Sequence, residues 1–165
     1  MKKNIECTLV LIKPDGVKKG VRKDVFARYD RASLQLIYCS SKITATGEQL
    51  YKHYEEIGHL LTRKGEEIFN ETVKYMMSGP ILKAIIVGED AVKKVRELNG
   101  ETKPWEAKKG TIRADFGEID PKGPIRNIVH SSASIEEAKE EIKVWFSKEE
   151  LKEHLPNQYQ EYYPD

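Results

Sequence analysis

The chain has 165 residues, enough for one domain with a real core, and 28 Lys and Arg against 27 Asp and Glu leave a net charge of +1. That balance gives no global field for nucleic acid or a membrane surface, so any basic patch must be local. No run approaches the ~18 apolar residues of a membrane span, and a mean hydropathy of −0.62 fits a well-solvated surface. The start, Met1-Lys2-Lys3-Asn4-Ile5-Glu6, has lysines but no apolar signal core. Cys7 and Cys39 lie in strand-like runs without CxxC spacing, so they read as reduced residues of a cytoplasmic protein.

In chain order, Leu9-Val10-Leu11-Ile12 is apolar on both faces, as a covered central strand is, and it ends in the turn sequence Lys13-Pro14-Asp15-Gly16. A lysine at that strand end is either a phosphate contact or an ordinary snorkelling side chain, and the Walker A spacing is absent. The pattern predicts a helix over 21–31 with Val21, Val25 and Phe26 or Tyr29 on one face, then a strand over 34–43. Thr46-Gly47-Glu48-Gln49 fits a capping box, and Leu50, Tyr54 and Ile57 share a helix face. Tyr54 is thus first a helix-face aromatic whose hydroxyl reaches the edge of the core. Gly58 to Gly65 reads as polar and turn-like. A helix over 66–77 follows, broken at Ser78-Gly79-Pro80, then a strand over 81–87 and a short helix capped by Asp90 and ended by Asn99-Gly100.

From Gly100 to Pro124 the periodicity is lost. This stretch carries Thr102, Lys103, Pro104, Trp105, Lys108, Lys109 and Arg113. Unpatterned segments this long are usually functional in compact domains, and a basic one reads as a lid over a polyanion. After it come Ile128 and Val129, which predict a buried strand, and Ser134 with Glu137, which predict a helix start. His130 therefore sits at a strand-to-helix junction, where an imidazole is held rigidly with one ring nitrogen toward a cleft. A lone histidine there is more often a satisfied core residue. Its company in the chain (Lys13, Tyr54, Arg96, Thr102, Arg113 and Asn127) argues for chemistry instead. On the helix over 134–146, Ile135, Ala138, Ile142 and Trp145 share one face; Glu141, at its margin, is better placed than Glu136 or Glu140 to reach a histidine over the helix start. The tail over 148–165, with Pro156 and three tyrosines, reads as an extended segment on the surface or on a neighbouring subunit. The element order predicts one α+β domain over 1–165: a ferredoxin-like βαββαβ sandwich whose four-stranded antiparallel sheet is covered on one face by helices.

The stretch Asn127-Ile128-Val129-His130-Ser131-Ser132 resembles the active-site signature of nucleoside diphosphate kinases. Three further blocks agree in order and spacing: Ile12-Lys13-Pro14-Asp15-Gly16; Val73-Lys74-Tyr75-Met76 with Ser78-Gly79-Pro80; and Gly110-Thr111-Ile112-Arg113-Ala114-Asp115-Phe116. The resemblance covers nearly the whole chain. It implies the ferredoxin-like fold and ping-pong transfer of a γ-phosphate from a nucleoside triphosphate to a nucleoside diphosphate through a phosphohistidine at His130, formed on Nδ1. It also implies roles for the residues around it. Glu141 would orient the other ring nitrogen, and Ser132 would bond Glu141 and the incoming phosphate. Lys13 and Tyr54 would serve the γ-phosphate, Arg96, Thr102 and Arg113 the β- and α-phosphates, and Asn127 with Lys13 the ribose hydroxyls. Mg²⁺ would arrive on the nucleotide phosphates, with no metal site built from protein ligands alone.

Two stretches depart from the family pattern. The chain is longer between Tyr54 and Val73, so the base-stacking position falls on Phe69 or on Ile68, and Glu118 to Gly123 reads as inserted. Family members are hexamers or tetramers built from dimers, and Pro104, at the family's trimer-contact loop, implies a homo-hexamer. Asp115-Phe116-Gly117 spells the protein-kinase DFG tripeptide, but no His-Arg-Asp loop or glycine-rich cover accompanies it. The competing reading is a ferredoxin-like nucleic-acid- or nucleotide-binding module without turnover. It lacks the aromatic-rich strand motif such sheets use, so no specific nucleic acid partner is expected.

Overall fold

The structure, a computed structural model, describes residues 3–122 and 125–165. The Met1-Lys2 start, and Gly123 and Pro124 near the end of the inserted stretch, lie outside the described residues. Four strands, β1 (Ile5–Ile12), β2 (Gln35–Cys39), β3 (Leu82–Glu89) and β4 (Val129–Ser131), form one antiparallel sheet in the order β2-β3-β1-β4. This is the ferredoxin-like arrangement expected of the element order. The β1–β3 ladder runs from Ile5 opposite Glu89 to Ile12 opposite Leu82. On the other side β4 sets Val129 opposite Ile12, His130 opposite Leu11 and Ser131 opposite Val10.

Strand alternation sends Val10, Ile12, Ala84, Ile86 and Val129 into one buried cluster and Leu9, Leu11 and Ile85 into another. Both faces of β1 are therefore buried, which is why its second half is uniformly apolar. Helices α2 (Arg22–Arg31) and α6 (Ala91–Asn99) cover the first face through Val25, Tyr29 and Val95. Helix α8 (Ile135–Trp145) covers the second through Ile142 and Trp145. The expectation of one covered face is corrected here: helices beyond the βαββαβ unit supply a second layer.

Local differences have local causes. Lys13-Pro14-Asp15-Gly16 is no free turn but the start of α1 (Pro14–Lys19), with the proline at the helix N-terminus where its missing N–H is harmless. The Thr46/Gln49 capping box does start α3 (Gly47–Tyr51), but the helix then widens into a π-helical turn over Lys52–Ile57. Within the stretch read as turn-like, α4 (Leu60–Lys64) forms, and the Glu55 carboxylate accepts from the Thr62 backbone N–H at 3.2 Å and hydroxyl at 3.1 Å. Helix α5 spans Glu66–Met76. Asp90 makes no side-chain cap; it takes a left-handed φ of 52°, and Glu6 accepts the Val92 N–H instead at 3.0 Å. The long loop contains α7 (Ile112–Phe116), capped by Thr111. Ile128 is buried but precedes the strand, and Ile135 is half exposed rather than on the buried face of α8.

The tail is not extended. It folds as α9 (Lys148–His154), started by a Ser147/Glu150 capping box, and α10 (Tyr159–Tyr162). Leu151, Leu155 and Tyr162 complete the second core cluster, while Lys148 lies over the Tyr163 ring and Lys152 over the Tyr159 ring. Cys7 and Cys39 are free thiols packed into opposite clusters. No helix among the described residues is long and apolar enough to cross a membrane. Because Leu151 is fully buried, Leu151→Ala should lower unfolding free energy by about 2–5 kcal/mol in urea titrations, a loss that an extended surface tail would not produce.

Candidate active site

Strand β4 has only three residues, and alternation decides where each goes. Ser131 faces the first layer, where its hydroxyl accepts from Asn99 Nδ2 at 2.9 Å. His130 faces the second layer. There α8, started by the Ser134 cap on Glu137 N–H (3.1 Å), brings Glu141 beneath the ring. His130 Nε2 lies 2.7 Å from Glu141 Oε2. Burial works against the charge of Glu141, but attraction to His130 and the hydrogen bond from its ring outweigh it and hold the carboxyl down to about 2. A carboxylate accepts but does not donate, so the His130 proton is on Nε2 and the Nδ1 lone pair is left free.

The π-helical turn turns two adjacent side chains toward this pair. His53 is buried, with its ring edge-on to His130 at 4.3 Å between centroids. Its Nδ1 accepts the Trp145 indole N–H at 3.0 Å. That bond needs the Nδ1 lone pair, and burial, together with the neighbouring His130 ring against which a second positive charge would be repelled, lowers the His53 pKa to about 3, so this imidazole is neutral. Tyr54 packs edge-on against His53 at 4.6 Å, and its buried hydroxyl has no partner among the described residues.

Cations approach from the strand ends and the long loop. Lys13 Nζ donates to Asn127 Oδ1 at 2.8 Å, and Asn127 Nδ2 donates to the Thr102 carbonyl at 2.8 Å, tying β1, the loop and the approach to β4 together. Burial, reinforced by Arg113 and opposed by Asp15, lowers Lys13 to about 7. Arg113 is anchored by two carbonyls, Gly100 at 2.9 Å and Val129 at 2.8 Å, and burial lowers it to about 10. Its Nε is buried without a partner among the described residues. Gly100 has φ +85°, and a Cβ there would lie 2.4 Å from Thr111 Oγ1, so the loop closes on Thr111 only with glycine at that position.

The structure thus gathers Lys13, Tyr54, Arg113, Asn127, His130 and Glu141. Arg96 is exposed on α6 and makes no ion pair among the described residues, although its charge is close enough to depress Arg113. Thr102 joins through its carbonyl alone. Ser132 is fully buried: its hydroxyl accepts the Leu9 N–H at 3.3 Å and helps hold Glu141 ionised, with no open side toward an incoming phosphate. Phe69 is half-buried, edge-on to Tyr51 at 6.1 Å, while its neighbour Ile68 is exposed.

Sequence reasoning missed His53, Trp145 as its partner, and the pair Asp15 and Tyr75. Trp145 follows Glu141 by one helical turn, a faint signal. His53 had none beyond standing next to Tyr54. The ligand atoms of His53, His130 and Glu141 lie within 4.8 Å of one another, but His53 Nδ1 already accepts from Trp145, so the trio is a hydrogen-bonded network and a poor metal cage.

Comparison with known proteins agrees with this geometry. The family model for nucleoside diphosphate kinase matches residues 6–151. The nucleoside diphosphate kinase of Thermoanaerobacter sp. (strain X514) is 45% identical over 142 residues, 86% of this chain and 97% of the relative. Nucleoside diphosphate kinase B of Mus musculus is 38% identical over 148 residues, 90% of each chain. Among solved structures, a transition-state mimic of the Borrelia burgdorferi nucleoside-diphosphate kinase with bound vanadate and ADP superposes with a TM-score of 0.81 at 31% identity, covering 88% of this chain and 89% of that one.

The state of His53 is testable through stability. Its folded pKa of about 3 lies below the unfolded value near 6.5, so between the two the unfolded chain holds a proton that the folded chain refuses. Stability should fall as pH drops through that window, by about 1.4 kcal/mol per pH unit from this group. In His53→Gln, whose side-chain oxygen still accepts from Trp145, urea titrations at a series of pH values should show that slope gone.

Proposed function

The chain belongs to the nucleoside diphosphate kinase family, and on that premise we propose that His130 carries the phosphoryl group between the two nucleotides. The enzyme is a phosphotransferase that moves the γ-phosphate of a nucleoside triphosphate to a nucleoside diphosphate. The observation that carries the assignment of His130 is the 2.7 Å bond from Nε2 to a buried carboxylate, which leaves Nδ1 as the nucleophile and spares it any need to shed a proton.

In the first half-reaction the Nδ1 lone pair forms the N–P bond while the bond from γ-phosphorus to the β,γ-bridging oxygen breaks, and the diphosphate leaves with that oxygen. In the second, a terminal oxygen of a new diphosphate attacks the same phosphorus and the N–P electrons return to the ring. Glu141 balances the positive charge that Nδ1 phosphorylation places on the imidazole. Lys13 and Arg113 meet the charge spread over the transferring oxygens, and Arg96 and Thr102 at the exposed rim take the β- and α-phosphates. The Tyr54 hydroxyl and Arg113 Nε, without partners among the described residues, are donors that phosphate oxygens would satisfy. Asn127, beside Lys13, serves the ribose hydroxyls.

Mg²⁺ enters as part of the substrate, neutralising nucleotide phosphate charge, because the donor trio at His130 is engaged in its own hydrogen bonds. Phe69, paired with Tyr51, is the aromatic platform for the base, with Ile68 beside it as the alternative contact. The free thiols suit a reducing compartment such as the cytoplasm. For the assembly we favour a homo-hexamer over a tetramer. Pro104 is buried within its own chain, so its loop, rather than the proline ring, would meet a neighbour.

γ-Labelled ATP should mark the protein with a label stable to base and lost in acid, and His130→Ala should take up none and fail to phosphorylate GDP; stoichiometric label in that variant would overturn the assignment. Arg113→Ala should lower kcat for GDP phosphorylation by ATP by about 10²–10³-fold. A half-buried Lys13 titrating near 7 is largely neutral at alkaline pH and is charged by an arriving polyphosphate. Calorimetric titration of a non-hydrolysable triphosphate about one unit above that pKa, in buffers of different ionisation enthalpy, should therefore show uptake of up to about one proton, abolished in Lys13→Met.

A further inference from the structure

The residue two before His130 has an unfavourable backbone. Ile128 is fully buried, β-branched and has φ +74°; among the described residues the other non-glycine ones with positive φ are Ser33, His59 and Asp90, none of them β-branched. The Val129 N–H donates to the Asn127 carbonyl at 2.8 Å, which with that φ makes Asn127–Val129 a γ-turn of the rare, strained hand. Such strain persists only where the surroundings over-determine it. Here they do. The Ile128 carbonyl accepts the Lys13 N–H at 2.8 Å, and the Ile128 N–H donates to Asp15 Oδ2 at 3.1 Å. A Cβ on Gly16 would lie 2.9 Å from the Ile128 oxygen, so the peptide has no room to relax on that side. The second Asp15 oxygen accepts the phenol of Tyr75, which comes from α5.

We propose that Asp15, braced by Tyr75, is a positioning residue that holds the Ile128 peptide in this bend and thereby sets where the nucleophile and the Lys13–Asn127 pair stand. The bend is what lets Asn127 turn to Lys13 and Thr102 while His130, two residues on, enters β4 facing Glu141. An extended residue at 128 would carry the strand straight through and move both. Asp15 touches no reacting atom. Its carboxylate acts through the backbone of Ile128. The inference rests on His130 being the nucleophile.

The test is a set of variants assayed for single-turnover phosphorylation by γ-labelled ATP and for steady-state kcat and KM. Asp15→Ala leaves the Ile128 N–H unpaired and should lower kcat by about 100-fold, the scale of an ångström-level misplacement, with KM changed by less than about threefold. Asp15→Asn should restore kcat to within about threefold of the parent, because its carbonyl accepts from Ile128 and its amide donates to the Tyr75 oxygen. Tyr75→Phe, which removes the brace but keeps the Ile128 bond, should fall between them. Gly16→Ala removes no hydrogen bond yet crowds the same carbonyl; it should also lower kcat at near-constant KM, and it carries the test if Asp15→Ala does not fold. The proposal is overturned if folded Asp15→Ala or Gly16→Ala keeps the parent kcat, or if Asp15→Asn is as impaired as Asp15→Ala. His130→Ala in the same assay separates the two readings: label in that variant sinks the role of His130, whereas its absence beside a fully active Asp15→Ala sinks only the role of Asp15.

Discussion

One hydrogen bond, His130 Nε2 to Glu141 Oε2 at 2.7 Å, is the contact to which the rest of the molecule is fitted. A carboxylate buried this deeply would be stranded without a cationic or hydrogen-bonding partner. The imidazole, in turn, would present either nitrogen without the carboxylate. Each therefore fixes the state of the other. To bring them together, the short β4 must be in register with β1, and α8 must lie flat on the second face, which Ala138, Ile142 and Trp145 achieve by burying its apolar side. The C-terminal helices, which seal Trp145 and Phe146 under Leu151 and Leu155, belong to the same support.

The site draws on both layers of the sandwich. His130, the proposed nucleophile, and its histidine, tyrosine and tryptophan neighbours belong to the second face. Lys13, Asn127 and Arg113 come from strand ends and from the loop anchored beside α6. These cations lose hydration, and a like charge adds to the effect, Arg113 on Lys13 and Arg96 on Arg113, which is why both are pulled below their ordinary values. Two donors without partners among the described residues, Tyr54 Oη and Arg113 Nε, stand with them. A site of this kind has its donors and charges placed before any phosphate arrives, so little reorganisation is left for the reacting state.

How much of this could be read from the residues depends on the range over which each signal acts. Caps act over three residues, and those at Thr46, Ser134 and Ser147 are where local chemistry puts them. The margin position of Glu141 follows from helical spacing, and spacing alone pointed to it over Glu136 and Glu140. Other features depend on contacts remote in sequence. His53 is one histidine in a polar helical stretch until Trp145, 92 residues on, gives it a hydrogen bond. Asp15 looks like a turn residue until Ile128 arrives, 113 residues later. The π-helical turn leaves the apolar periodicity nearly intact, so Lys52–Ile57 passes for ordinary helix. The tail hid its two helices because each is shorter than two or three turns and Pro156 falls between them. Base contacts were least legible, since the lengthened stretch before α5 blurs the alignment of Phe69 and Ile68.

The brevity of β4 has a consequence for how this chain can vary in length. With a two-residue repeat and only three paired positions, gaining or losing one residue anywhere between the γ-turn and Ser132 would exchange the two faces, turning the imidazole onto Asn99 and burying a serine or valine against the carboxylate. A change of chain length is then tolerable only outside that run. The two stretches that read in the sequence as departing from the family pattern, before α5 and at 118–124, both lie outside it, while the run from Asn127 to Ser132 behaves as a fixed ruler whose length cannot be edited without parting the imidazole from Glu141.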